Sequence, residues 1–172
     1  VEAETDEGGE VISSSRIREA LAEGDIALAN GLLGYHWFVE AEVRHGEKRG
    51  RELGYPTANL RLADECPLRH GIYAVRVLVD GQPVDGVASY GRRPTFDNGA
   101  PLLEVFLFDF SGNLYGKQLR VSFVSYLRPE AKFTSLDALI AQMDLDSAEA
   151  RAALAAMQPL SPLDLALGSV PL

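Results

Sequence analysis

The sequence predicts a mainly β protein: a small, closed or nearly closed antiparallel barrel with short helices before it and a long helix after it. Three observations carry that prediction. Between Tyr35 and Arg128 apolar and polar residues alternate, which is the period of a strand. The alternating runs are separated by Asp80-Gly81, Asn98-Gly99 and Ser111-Gly112-Asn113, which are turn signals rather than helical crossovers. Such connections favour antiparallel pairing over a parallel βαβ sheet. After Arg128 the apolar spacing becomes helical.

The elements follow in order. Residues 1 to 11 are rich in Glu, Asp and Gly and read as a disordered or truncated lead-in. Ser13-Ser14-Ser15 precedes "RIREALAEG", a short helix with a serine cap and Gly24 at its end. "DIALANGLLG" repeats the pattern, with Asp25 as cap and Gly31 or Gly34 as stop. Residues 1–34 therefore form an acidic lead-in and two short helices. In "WFVEAEVRH", Trp37, Val39, Ala41 and Val43 share one face, while Glu40, Glu42 and Arg44 take the other. "IYAVRVLVDG" places Tyr73, Val75, Val77 and Val79 together, and "PVDGVASYG" returns from the turn. "LLEVFLFDF" is another strong strand, and after a tight connection "QLRVSFVSYL" comes back, giving five or six strands. Thr134 or Ser135 caps a helix whose apolar face holds Leu136, Leu139, Ile140 and Met143. The barrel with this helix occupies residues 35–157, and 158–172 reads as a loose tail with three prolines.

Composition narrows the function. A chain of 172 residues can bury about 70% of its unfolded surface, so a normal core is available. No apolar run approaches the ~18 residues of a membrane span, and Val1 to Glu10 carries five carboxylates instead of a basic, then apolar, leader. One cysteine, Cys66, excludes an internal disulfide framework and disfavours zinc. These features fit a cytoplasmic protein without a membrane partner. The net charge of −9 argues against a nucleic-acid partner, which wants a basic face. It also makes the local cluster Arg44, Lys48, Arg49 and Arg51 informative, because a confined positive patch suits a small anion.

That cluster lies on "HGEKRGRELGYPTANL". Gly46, Gly50 and Gly54 let backbone N–H groups approach an anion, and Lys48, Arg49 and Arg51 add charge for a polyphosphate. The spacing is neither the Walker A loop nor the dinucleotide G-x-G-x-x-G. Pro56 biases Tyr55 toward extended backbone. Thr57 and Asn59, two apart, then point the same way and offer hard oxygen ligands suited to Mg²⁺, or alternatively satisfy a turn. Glu104 is the odd residue in "LLEVFLFDF". Period two puts it with Phe106, Phe108 and Phe110, where partial desolvation would strengthen it as a base, or it is a strand-end charge reaching water. Asp109 falls on the opposite face with Leu103, Val105 and Leu107.

In order, "RGRELGYPTANL", "GIYAVRV", "GVASYGRRPTF" and "LEVFLFDFSGNLYGKQLRVSFVSYLRPEAKFTSLDALIAQM" resemble the riboflavin kinase module of the bacterial bifunctional riboflavin kinase/FMN adenylyltransferase (FAD synthetase) family. The resemblance covers about residues 35 to 150. It implies a six-stranded antiparallel Greek-key barrel with a long C-terminal helix. It implies ATP as co-substrate, riboflavin as acceptor, FMN and ADP as products, and Mg²⁺ or another divalent cation. Position by position, it makes Thr57 and Asn59 metal and nucleotide-phosphate ligands. Glu104 becomes the base for the ribityl primary hydroxyl, and Gly46, Lys48, Gly50 and Arg51 part of a flap over the nucleotide. Arg128 and Phe133, in "LRPEAKF", become flavin-binding residues. "SSSRIREALAEGDIALANGLLG" resembles the end of the family's adenylyltransferase module, which would place that module before these residues in a longer parent chain. No HxGH-type motif is present, since His36, His45 and His70 are not so spaced. The alternatives are a non-catalytic flavin-binding barrel, or a piece of a bifunctional FAD synthetase whose adenylyltransferase part is missing here.

Overall fold

The alternation along one central strand decides the architecture. In a computed structural model describing residues 4–5, 11–12, 14–44, 57–63, 65–92 and 99–167, Tyr73, Val75, Val77 and Val79 all face one core. Ile72 and Ala74, of opposite parity, face a second. The strand is buried on both sides because the sheet curls around the first core and carries a helix over the second.

The elements are β1 (Glu4–Thr5), β2 (Val11–Ile12), α1 (Ser14–Glu23), α2 (Ile26–Leu33), β3 (Phe38–Glu42), β4 (Thr57–Arg61), β5 (Gly71–Val79) and β6 (Gln82–Arg92). They continue with β7 (Pro101–Leu107), β8 (Gln118–Arg128), α3 (Leu136–Ala155) and α4 (Pro162–Ala166). Six strands form one antiparallel sheet in the order β3-β8-β5-β6-β7-β4. Its edges meet where Arg44 N–H donates to the Asn59 carbonyl (2.8 Å), so the barrel is nearly closed. The inner core takes Ala58 and Leu60 from β4, Leu103 and Val105 from β7, and Val121 and Phe123 from β8. α3 packs outside on β5, β6 and β8, and its Ala150 and Leu154, with Met157 just after the helix, are buried against Ile72, Ala74 and Val87. Among the described residues no helix is long and apolar enough to cross a membrane.

Local signals explain most boundaries. Asp25 accepts from Leu28 N–H (3.1 Å) as the α2 cap, and Gly34 ends that helix at φ 79°. Asp80 and Gly81, at φ 50° and 81°, make the β5–β6 turn, whose positive angles match the twist of a hairpin. Ser135 caps α3 by accepting from Ala138 N–H (3.1 Å).

Four expectations are corrected. Within the lead-in, Glu4 and Thr5 pair antiparallel with Ile12 and Val11. The Ser-Gly-Asn connection does not fold β8 back onto β7. It carries the chain across the barrel, so β8 pairs with β5 and β3. Leu114 is buried in the inner core along the way, and Gly116 and Lys117 exchange backbone bonds with Val43 at the end of β3. The first turn of α3 is not a core face. Leu136 is 48% exposed, while Met143, Asp146, Ala150 and Leu154 form the buried stripe. Finally, residues 158–167 dock. Asp164 is 1% exposed and accepts from the His36 (3.1 Å) and Leu160 (2.9 Å) backbone N–H groups, with His36 Nδ1 2.8 Å away. Ser161 Oγ donates to the Gly34 carbonyl, and Arg120 Nη1 to that of Leu167 (3.2 Å). Those bonds tie α4 to the α2–β3 junction and to β8.

Candidate active site

Strand parity decides what the outer wall carries. The register sets Asn59 of β4 opposite Glu104 of β7, and Glu104 opposite Ser89 of β6. One step along, Thr57, Phe106 and Val87 form the next row. Opposed residues in antiparallel strands project to the same face, with Cβ atoms about 4.5–5.5 Å apart. Their neighbours Ala58, Leu103, Val105, Ala88 and Tyr90 fill the inner core, so both rows lie outside.

A cleft of about 680 Å³ opens over this wall. Ser89, Glu104, Val87 and Phe106 make its floor, and Leu136, Leu139 and Met143 at the start of α3 make its roof. Residues 130–135, with Phe133, close one end. This segment folds against β6 so tightly that the Glu130 carboxylate occupies the place of a side chain at Gly91. A Cβ there would meet Glu130 Oε1 at 1.7 Å. A side chain at 91 would have to displace that carboxylate, the far end of a flexible side chain.

Glu104 lies on the cleft floor with Phe106, and Phe108 continues the same outer face beneath α3. Phe110 does not join them. β7 ends at Leu107 and Asp109 turns at φ 53°, which breaks the period and sends Phe110 against the inner core. The same turn takes Asp109 off the inner face expected for it. It is exposed and pairs with Arg151 (3.1 Å). Thr57 and Asn59 adjoin the cleft from β4 without lining it. Asn59 is 6% exposed, and among the described residues its Oδ1 has no hydrogen-bond partner. A buried carbonyl oxygen left open is costly unless a ligand completes it.

Arg128 and Phe133 both line the cleft, the guanidinium 5.9 Å from the ring centroid. Arg128 is held by Asp146 of α3 through Nε to Oδ1 (2.8 Å) and Nη2 to Oδ2 (2.6 Å). Those bonds raise the guanidinium pKa above its ordinary value, against the opposing effect of burial. Gly46, Lys48, Gly50 and Arg51 lie outside the described residues. Sequence reasoning missed Ser89, Glu130 and Asp146 as cleft residues. Outward parity on β6 would have found Ser89 once β6 was paired with β7. Asp146 looks like its exposed neighbours Asp144 and Glu149.

A cleft of this size, apolar on several sides with a few convergent polar groups, is what small-ligand sites look like. Fold and cleft together define a small-molecule-binding barrel domain. Comparison with known proteins then specifies which: the riboflavin kinase family (Flavokinase) matches residues 33–154, and the chain belongs to it. A bifunctional riboflavin kinase/FMN adenylyltransferase of Haemophilus influenzae is 47% identical over 142 residues, covering 82% of this chain and 46% of that protein. One from Listeria monocytogenes is 40% identical over 149 residues, covering 86% and 48%. The chain thus spans about half the length of these relatives. A riboflavin kinase structure from Trypanosoma brucei shares the fold, with TM-score 0.54 and 24% identity over 71% of this chain and 82% of that one. A Streptococcus pneumoniae structure named a macrolide-efflux protein aligns at TM-score 0.77 and 39% identity, over 88% of this chain and 50% of that one.

Proposed function

We propose that this domain transfers the γ-phosphoryl group of ATP to the primary ribityl hydroxyl of riboflavin, releasing FMN and ADP. The observation that carries the reading is Glu104 on the cleft floor, directly across from Asn59. The hydroxyl oxygen forms a bond to the γ-phosphorus, the bond from that phosphorus to the β–γ bridging oxygen breaks, and the hydroxyl proton passes to the Glu104 carboxylate. Arg128 and Phe133 bind the flavin ring, with a guanidinium for its acceptors and an aromatic face for stacking. Gly46, Lys48, Gly50 and Arg51 cover the nucleotide phosphates.

The open, buried Asn59 Oδ1 fits an oxygen-liganded cation, and Thr57, two residues away on the same face, supplies a second oxygen. Thr57 and Asn59 would hold Mg²⁺, which when bound neutralises charge on the phosphates. In phosphoryl transfer, positioning and charge neutralisation supply most of the catalytic effect. The relatives' adenylyltransferase activity is not proposed for these residues.

The test is incubation with riboflavin and Mg·ATP, resolved chromatographically for FMN and FAD. FMN that requires both substrates and the cation is expected. Tight flavin binding without FMN would leave a non-catalytic barrel, and FAD made from FMN would mean that adenylylation is retained.

A further inference from the structure

Asp146 belongs to the cleft wall, yet the proposed chemistry gives it nothing to do. It sits in the buried stripe of α3 among Met143, Ala150 and Leu154 and is 4% exposed. A carboxylate there has lost its water and needs full compensation. It receives two bonds from Arg128, and a third from Gln142 Nε2 to Oδ1 (3.0 Å), one helical turn earlier. Arg128 spends one further bond on the Pro129 carbonyl (3.0 Å). Of the five N–H groups of a guanidinium, three are thus engaged within the protein and two remain among the described residues.

Holding α3 against the barrel does not require this pair. Desolvation offsets most of the attraction in a buried ion pair, and apolar side chains of similar size would serve as well. What apolar side chains cannot do is fix the plane of a donor fork. The two-point grip of Asp146 sets both the rotation and the tilt of the guanidinium at the cleft wall, beside Phe133.

We propose that Asp146 is a positioning residue for the acceptor substrate: it locks Arg128 so that the two remaining N–H groups meet the carbonyl oxygens of a planar heteroaromatic ring lying along Phe133. Gln142 steadies the same carboxylate. The inference rests on the riboflavin kinase reading for the identity of that ring.

The experiment compares wild type, Asp146→Asn, Asp146→Glu, Arg128→Lys and the double variant Asp146→Asn/Arg128→Lys. Riboflavin Kd is read from flavin fluorescence without nucleotide, and KM and kcat are read for riboflavin and for Mg·ATP. Loss of one charge-assisted bond is worth roughly 10- to 100-fold. Asp146→Asn should therefore raise riboflavin Kd and KM about 10-fold or more, with KM for Mg·ATP within about twofold and kcat within about threefold. Asp146→Glu should recover most of the affinity. The double variant should be no weaker than Arg128→Lys alone, because both changes disable one device.

An unchanged riboflavin Kd in Asp146→Asn, or losses that multiply in the double variant, would overturn the inference. So would parallel losses for riboflavin and Mg·ATP that follow a fall in melting temperature, since that is packing alone. If Asp146→Asn does not fold, Gln142→Ala serves. A rise of about threefold or more in riboflavin Kd is expected, and no change would overturn the proposal. Wild type that binds riboflavin but makes no FMN refutes the kinase reading and leaves the role of Asp146 standing. Wild type that does not bind riboflavin refutes both.

Discussion

The inner and outer faces of β6 and β7 are written in the same alternating code but do different work. Inward, Ala88, Tyr90, Leu103 and Val105 are at most 2% exposed and touch one another. Outward, Val87 and Phe106 pack near α3, while Ser89 and Glu104 stand in a polar row on the cleft floor. On the proposed reading, adjacent residues of one strand serve stability and chemistry separately. A period of two lets one backbone hold both without compromise, because a change on one face leaves the other face in place.

The largest expected effect tests the outer face. Glu104→Gln should lower turnover by about 10²–10⁴-fold, the usual contribution of a general base. Riboflavin binding and melting temperature should stay near wild type, and near-normal turnover would remove Glu104 from the mechanism. Its inner neighbour should behave in the opposite way. Leu103, fully buried, should cost about 2–5 kcal/mol on change to Ala, read by denaturant unfolding, with kcat at low temperature little altered. If Leu103→Ala impaired turnover while leaving stability intact, the division between faces would be wrong.

Asn59→Ala extends the outer row. KM for Mg·ATP should rise about 10-fold while riboflavin Kd stays within about twofold, and equal losses would indicate collapse of the β4 edge instead. The smallest effect is inward and alkaline. Burial first, and then Cys66, push the Tyr90 hydroxyl well above its ordinary pKa of 10.0. Above about pH 10 the unfolded chain releases this proton while the folded chain keeps it, so stability present below that pH is lost as pH rises. Tyr90→Phe should therefore lose melting temperature less steeply than wild type between about pH 10 and 11.5, and equal slopes would show that Tyr90 ionises in the folded state.

What could be read from the sequence followed the range of each signal. Alternation and turn residues act over a few positions, so the strands, the Asp80-Gly81 hairpin and the capped helices were legible. Glu104 stood out because one carboxylate interrupts an apolar strand, and Thr57 and Asn59 because an extended segment aligns them. Pairing partners were not legible. Ser111-Gly112-Asn113 marks a change of direction but does not say which edge β8 joins. Ser89 became a site residue only through its register with Glu104. Asp146 depends on Arg128, 18 residues away. His36 and Asp164 lie 128 residues apart, so nothing local distinguishes the docked tail from a loose one.

That last pair has a consequence for where the domain stops. The family match ends at residue 154, but the carboxylate that receives His36 comes ten residues later, and Arg120 holds the chain as far as Leu167. Residues at the start of the matched region are thus bonded to residues that follow its end. A chain cut at residue 154 would retain every proposed reacting group but lose the Asp164 contacts to His36, leaving Asn30 to hold the entry to the first barrel strand through Trp37 and Phe123. Where the family match stops is therefore not where the contacts of the folded unit stop.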